Sequence, residues 1–202
     1  MYRRKDGFYA RAKAEGFRAR SAYKLIEIAR RAQLFRPGDV VVDLGAWPGG
    51  WLQVAAVAVG PRGRVVGVDL RPIEPLADAA NVVCLCGDVN DPGVRGRVMA
   101  ACGRQADVLL SDLAPRLSGV RARDEAQMLA LAGTVLDLTT EILRPGGHLV
   151  IKLFTTPDTP AFLTRLQGRF RQVKTTRPDA TRKGSAELYA IALGFGGHTH
   201  RE

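Results

Sequence analysis

Seven short apolar runs constrain the fold more than any other feature: Val40 to Leu44, Val65 to Asp69, Val82 to Cys86, Val108 to Asp112, His148 to Phe154, Phe170 to Thr175 and Glu187 to Leu193. Each has the length of a strand and is rich in branched apolar residues. Runs that are apolar on both alternating faces belong to a sheet covered on both sides. Helical stretches are expected between the first six runs, most clearly at Asp124 to Leu143, whose Ala and Leu content outweighs Gly133. Strand and helix in alternation predict an α/β fold with a largely parallel sheet. The last two runs are joined only by the turn-rich Thr176 to Ser185. That link is too short for a helical crossover, so they should pair antiparallel. A helix from Ser21 to Ala32 is expected ahead of the sheet, capped by Ser21, with Leu25 and Ile28 on its apolar face and Pro37-Gly38-Asp39 beyond its end.

In an open sheet of this kind ligands bind beyond the carboxyl ends of the strands, near the point where strand order reverses. Acidic residues gather at those ends: Asp43 in the first run, Asp69 closing the second, Asp88 after the third and Asp112 closing the fourth. One such Asp is commonly a turn residue, but four at successive strand ends point to a ligand. Asp69 is placed to accept hydrogen bonds from ribose hydroxyls, and Asp88 from an adenine amino group. The first run leads into the glycine-rich DLGAWPGGW, Asp43 to Trp51. This loop lacks the G-x-G-x-x-G spacing that seats a dinucleotide pyrophosphate and the Lys-Ser/Thr of a P-loop. It offers backbone groups and indole surface instead, suited to adenosine and a sulfonium-bearing tail. Trp47 reads as a core residue.

The formal charge of +10 is uneven. Residues 1 to 36 hold 11 Lys and Arg against 3 Asp and Glu, and residues 165 to 183 hold 7 against 1, whereas 37 to 164 hold 11 against 14. Two basic segments flanking a mildly acidic middle suit a polyanion held beside a small-molecule site. They should converge on one face, with Arg18, Arg20, Arg182 and Lys183 as candidate phosphate contacts. At 202 residues and 46% hydrophobic content one globular domain is expected. Within it residues 1–36 form a basic extension and helix, 37–195 the catalytic part and 196–202 a tail. Cys84, Cys86 and Cys102 form no CxxC pair and read as buried thiols of a cytoplasmic protein, with neither disulfide nor metal. His148 reads as a strand-start residue, and His198 and His200 as tail. No apolar stretch is long enough to cross a bilayer.

GFRARSAYKLIEI at Gly16 to Ile28, VVDLGAWPGGW at Val41 to Trp51, LLSDLAP at Leu109 to Pro115, LVIKLF at Leu149 to Phe154 and RPDATRKGSAELYAIALGF at Arg177 to Phe195 together resemble the bacterial FtsJ/RlmE-type ribosomal RNA large-subunit 2′-O-methyltransferases, over about residues 8 to 195. The resemblance implies a Rossmann-like methyltransferase fold, S-adenosylmethionine as cofactor, and methylation of a uridine ribose in 23S rRNA. It also implies a Lys-Asp-Lys-Glu tetrad at Lys24, Asp112, Lys152 and Glu187, cofactor positions at Gly49, Trp51, Asp69, Asp88 and Asp112, and no metal. A monomer is expected, with 23S rRNA or the large ribosomal subunit as partner. Trp47 departs from the pattern, which has a small residue there.

The chemistry agrees with this assignment. A ribose 2′-hydroxyl is a poor nucleophile, and its proton must leave as the methyl arrives. Lys152, within an apolar strand, is the candidate group at that oxygen. An ordinary lysine, with a pKa of about 10.4, is neutral about once in 2,500 molecules at pH 7. A nearby Lys24 would favour the neutral amine, and Asp112 and Glu187 would oppose it. Lys152 therefore acts either as a base or as a group that orients the hydroxyl and stabilises its developing charge. The stretch Asp112-Leu113-Ala114-Pro115-Arg116 lacks the aromatic residue of exocyclic-amine methyltransferases, and no cysteine stands where carbon-5 methylation would need a nucleophile. A tRNA ribose methyltransferase and a non-catalytic RNA-binding assembly module are the competing readings.

Overall fold

The computed structural model describes residues 7–77, 79–116, 118–182 and 184–196. Along the chain the elements are α1 (Gly7–Ala14), α2 (Ala22–Ala32), β1 (Val40–Leu44), α3 (Gly50–Val59), β2 (Arg64–Asp69), β3 (Val82–Cys86), α4 (Pro92–Cys102), β4 (Ala106–Ser111), α5 (Arg121–Ile142), β5 (Leu143–Phe154), α6 (Thr159–Gln167), β6 (Phe170–Thr176) and β7 (Glu187–Phe195). The sheet order is β3-β2-β1-β4-β5-β7-β6. The strands from β3 to β5 pair parallel, and β7 runs antiparallel to both neighbours. This is the mostly parallel seven-stranded α/β sheet with an antiparallel last strand that the apolar runs predict. Strand order reverses between β1 and β4, so their carboxyl ends open the ligand crevice.

Residues alternate between two cores. Val40, Val42, Leu44, Leu149, Ile151 and Leu153 pack with α4, α5 and α6. Val41, Val65, Val108, Leu110, Val150, Tyr189 and Ile191 pack with α2 and α3. With a side-chain period of two, Asp43, Asp69, Asp112, Lys152, Glu187 and Tyr189 all belong to this second face. A smaller cluster of Ala12, Tyr23 and Ala180, with Phe8 and Phe17, joins α1 and α2 to the β6–β7 link.

Several boundaries differ from expectation. No helix lies between β2 and β3 among the described residues, where Pro72 and Pro75 remove amide donors and disfavour helical neighbours. β5 begins at Leu143, directly after α5, and its pairing with β4 shifts register between Ala106 and Val108. His148 therefore lies inside the strand. β4 ends at Ser111, so Asp112 is the first residue beyond it, its amide bonded to the Leu44 carbonyl at 3.1 Å. α2 starts at Ala22, but the Ser21 side chain makes no capping bond. α1 has no counterpart among the expected elements. Cys102 is buried, Cys84 is partly so, and Cys86 is exposed rather than buried, near the end of edge strand β3. The described residues include no helix long and apolar enough to cross a membrane. His198, His200 and Lys183 lie outside the described residues.

Candidate active site

Lys24, Asp112, Lys152 and Glu187 come from α2, the end of β4, β5 and β7, and the structure brings all four together. The β5–β7 register places Lys152 opposite Tyr189 and Phe154 opposite Glu187. Lys24 Nζ pairs with Glu187 Oε1 and donates to the Tyr189 hydroxyl at 3.3 Å. The Tyr189 hydroxyl donates to Asp112 Oδ1 at 2.9 Å. Lys152 Nζ lies 3.0 Å from the same oxygen and donates to the Asp112 carbonyl at 2.6 Å. The result is one chain of contacts, Glu187, Lys24, Tyr189, Asp112, Lys152. Both lysines are buried, so deleting one partner would strand a charge at a cost of about 3 to 5 kcal/mol. Tyr189 is the member that residue types alone do not single out. Its signal is Glu187-x-Tyr189, two residues on one face of a strand.

Asp43 and Asp69 lie on the same face toward β2. Asp43 is 1% exposed, and neither carboxylate oxygen has a partner among the described residues. Burial first, then Asp112 and Asp69, push its carboxyl well above the usual range. A buried carboxylate flanked by two others favours a cation, and a ligand bearing an ammonium and a sulfonium fits. Asp69 accepts from the amides of Trp47 at 3.0 Å and Arg71 at 2.9 Å. Each oxygen retains a lone pair for a ribose hydroxyl. Asp88 accepts from the Asn90 amide at 2.9 Å.

Gly45 and Gly49 have φ of 81° and 109°. A Cβ on Gly45 would meet the Leu113 amide nitrogen at 3.0 Å, and one on Gly49 would meet Arg18 Nη1 at 3.1 Å. These glycines let the loop pack on its own protein while its backbone stays open to a ligand. Trp51 is buried and its indole N–H donates to the Ser21 carbonyl at 2.8 Å. Its backbone amide lies in the first turn of α3, where helix amides lack internal partners. Trp47 is not a core residue: it is 47% exposed, with the Arg71 guanidinium 4.6 Å from its ring centre.

The basic segments meet at the acceptor side. Burial, then the Arg182 charge, hold Arg20 below its ordinary value while Glu187 opposes them, so Arg20 lies within electrostatic reach of both. The Asp179 amide donates to Glu27 Oε2 at 2.9 Å, and Arg31 Nη1 lies 3.2 Å from Thr176 Oγ1. Three N–H groups of the Arg18 guanidinium donate to the carbonyls of Pro48, Glu74 and Pro75, clamping the glycine loop to the β2–β3 connection, so this side chain has a structural task apart from any phosphate. No cluster of His, Cys, Asp and Glu suited to a metal occurs among the described residues.

Residues 17–195 match the family described as FtsJ-like methyltransferase. A Methanobrevibacter smithii protein named ribosomal RNA large subunit methyltransferase E is 42% identical over 195 residues, covering 96% of this chain and 92% of its own length. A Coxiella burnetii protein of the same name is 40% identical, covering 98% and 94%. The likeness therefore extends to archaea as well as bacteria. Among solved structures, a Plasmodium falciparum chain described as a ribosomal RNA methyltransferase superimposes with a TM-score of 0.79 at 24% identity, over 90% of this chain and all of that one. Fibrillarin of Aeropyrum pernix, crystallised with S-adenosyl-L-methionine, gives 0.61 at 19%, over 86% and 76%.

Proposed function

The chain belongs to the FtsJ-like methyltransferase family, and we propose that it transfers a methyl group from S-adenosylmethionine to the 2′-hydroxyl of a uridine ribose in 23S rRNA of the large ribosomal subunit. The observation that carries this reading is the continuous contact chain from Glu187 to Lys152 beside the crevice. A protein that only bound RNA would not need two buried lysines held by two acids.

S-adenosylmethionine, when bound, supplies an electrophilic methyl on a positive sulfonium. Asp43 holds positive charge on the donor side, Asp69 accepts from ribose hydroxyls and Asp88 from the adenine amino group. Lys152 meets the acceptor oxygen. Two contacts of its Nζ go to Asp112, leaving one position for the 2′-hydroxyl. As a neutral amine it takes the proton there, and as an ammonium it holds the oxygen while the proton leaves to solvent. Lys24, fixed by Glu187, adds positive charge near the developing alkoxide. Alignment of the hydroxyl with the methyl is the larger part of the catalysis, and no step calls for a metal.

The test is transfer of radiolabelled methyl from S-adenosylmethionine to isolated large subunits, protein-free 23S rRNA and tRNA. A 2′-O-methyl group blocks alkaline cleavage of the adjacent phosphodiester. Label in alkali-resistant dinucleotides with uridine on the 5′ side, from rRNA and not from tRNA, is the expected result. Labelled tRNA alone, or label on a base, would replace this reading.

A further inference from the structure

We propose that Tyr189 is a positioning residue of the transfer reaction, whose hydroxyl joins the Lys24–Glu187 pair to the Asp112–Lys152 pair. This inference rests on the function proposed above.

The geometry is specific. Tyr189 is 0% exposed, sits opposite Lys152 in the sheet, and packs its ring against Trp51 at 5.8 Å between centres. A phenol has one proton to give. Here it goes to Asp112 Oδ1, 2.9 Å away, while the hydroxyl oxygen accepts from Lys24 at 3.3 Å. Reversal of this direction would require Asp112 to carry a proton and Tyr189 to turn from Lys24. Burial, then the charges of Asp112 and Glu187, raise the phenol well above its ordinary value, so the proton stays. With its proton retained, Tyr189 donates to Asp112.

Two consequences follow. Asp112 Oδ1 receives both Tyr189 and Lys152, whereas Oδ2 accepts no hydrogen bond among the described residues. The Asp112 charge is also shared between a phenol and an ammonium. Beyond the apolar core around its ring, the charged and aromatic groups near Tyr189 are Lys24 from α2, Trp51 from α3, Asp112 after β4, its strand partner Lys152 from β5 and Glu187 from β7. Removing the hydroxyl leaves Lys152 as the sole partner of Oδ1 among them and favours the protonated form of the acceptor site.

A merely structural tyrosine would satisfy its hydroxyl in the core and do no more. Tyr189→Phe separates the two roles, since it keeps the ring against Trp51 and removes only the hydroxyl. Expected are a melting temperature and an affinity for S-adenosylhomocysteine, by calorimetry, within a few degrees and twofold of the parent. KM for RNA should be unchanged, kcat should fall about 10- to 100-fold, and the acid limb of kcat against pH should move upward by about half a unit or more. The losses from Tyr189→Phe and Lys24→Met should be strongly non-additive, as for residues acting as one unit. Unchanged kcat and an unshifted profile, or a kcat loss matched by lost thermal stability with the profile in place, would overturn the inference. A parent enzyme that binds no S-adenosylhomocysteine and transfers no methyl would instead overturn the function on which it rests.

Discussion

On the donor side of the crevice, Asp69 and Asp88 accept from amides two residues ahead of them, at Arg71 and Asn90. On the acceptor side, Lys24 reaches Tyr189 across 165 positions and Lys152 reaches Asp112 across 40. The donor side is built mainly of short motifs at strand ends, tied together by the Trp47 amide on Asp69 and by Arg18, with one buried carboxyl, Asp43, unpartnered among the described residues. The acceptor side is a network of side chains satisfied by one another. A local motif can lose a member and keep its neighbours' geometry, whereas a closed network passes the loss along. The two sides should therefore respond differently to substitution: the donor side in affinity, the acceptor side in rate.

The largest expected effect is at Lys152. Lys152→Ala should lower methyl transfer by about 100- to 10,000-fold, the range of a positioned acid–base group, while the Kd for S-adenosylmethionine stays within about twofold. Single-turnover kinetics with calorimetry measure both. A tenth of the parent rate, or a matching loss of donor affinity, would break the division between the two sides.

Asp43→Asn should show the opposite pattern. Its carboxyl is held well above the ordinary range by burial and by Asp112 and Asp69, so the folded protein keeps a proton that the unfolded chain releases near pH 4. Its contribution to stability is fully present below that pH and is lost as the pH rises through the folded value. The Asn variant should match the parent in thermal melts at low pH and exceed it at pH 7 by about 1 to 3 kcal/mol, while binding S-adenosylmethionine about tenfold or more weakly. Unchanged affinity would remove Asp43 from the donor site, and equal melting curves at both pH values would show that burial does not hold its proton.

The smallest effect concerns RNA and sharpens the comparison at the rim of the acceptor side. Replacing Arg20 and Arg182 by Gln should weaken RNA binding and reduce the log-log salt slope by about 0.7 to 0.9 for each phosphate that is no longer neutralised. Arg18→Gln should leave that slope unchanged and lower stability, because its guanidinium clamps two loops. Filter binding at several salt concentrations separates the two, and parallel lines for the Arg20 and Arg182 variant would show that those charges do not meet RNA.

Much of the donor side is legible in the sequence because its signals are local. The glycine loop and Asp69 and Asp88 can be placed by the rule that strands end at the crevice. The alternation of apolar runs likewise leads to the sheet and its antiparallel last strand. The placing of Trp47, of the Trp51 indole and of the Arg18 guanidinium was not legible. An indole reads the same whether it is buried or exposed, and an arginine reads the same whether its guanidinium is solvated or bonded to three carbonyls. The helix expected between β2 and β3 failed for a reason that was legible, two prolines in a short link.

What the sequence by itself determined is the class of fold and the placing of the carboxylates at strand ends, and its resemblance pointed to the four polar residues that the structure brings together. The tertiary structure alone decided how those four connect. The β5–β7 register set Tyr189 against Lys152, α2 delivered Lys24 to Glu187, and burial made one phenol the link between two ion pairs. The physical reason is distance along the chain: periodicity and turn chemistry act over a few residues, whereas the energy of a buried charge depends on partners that only packing brings within reach.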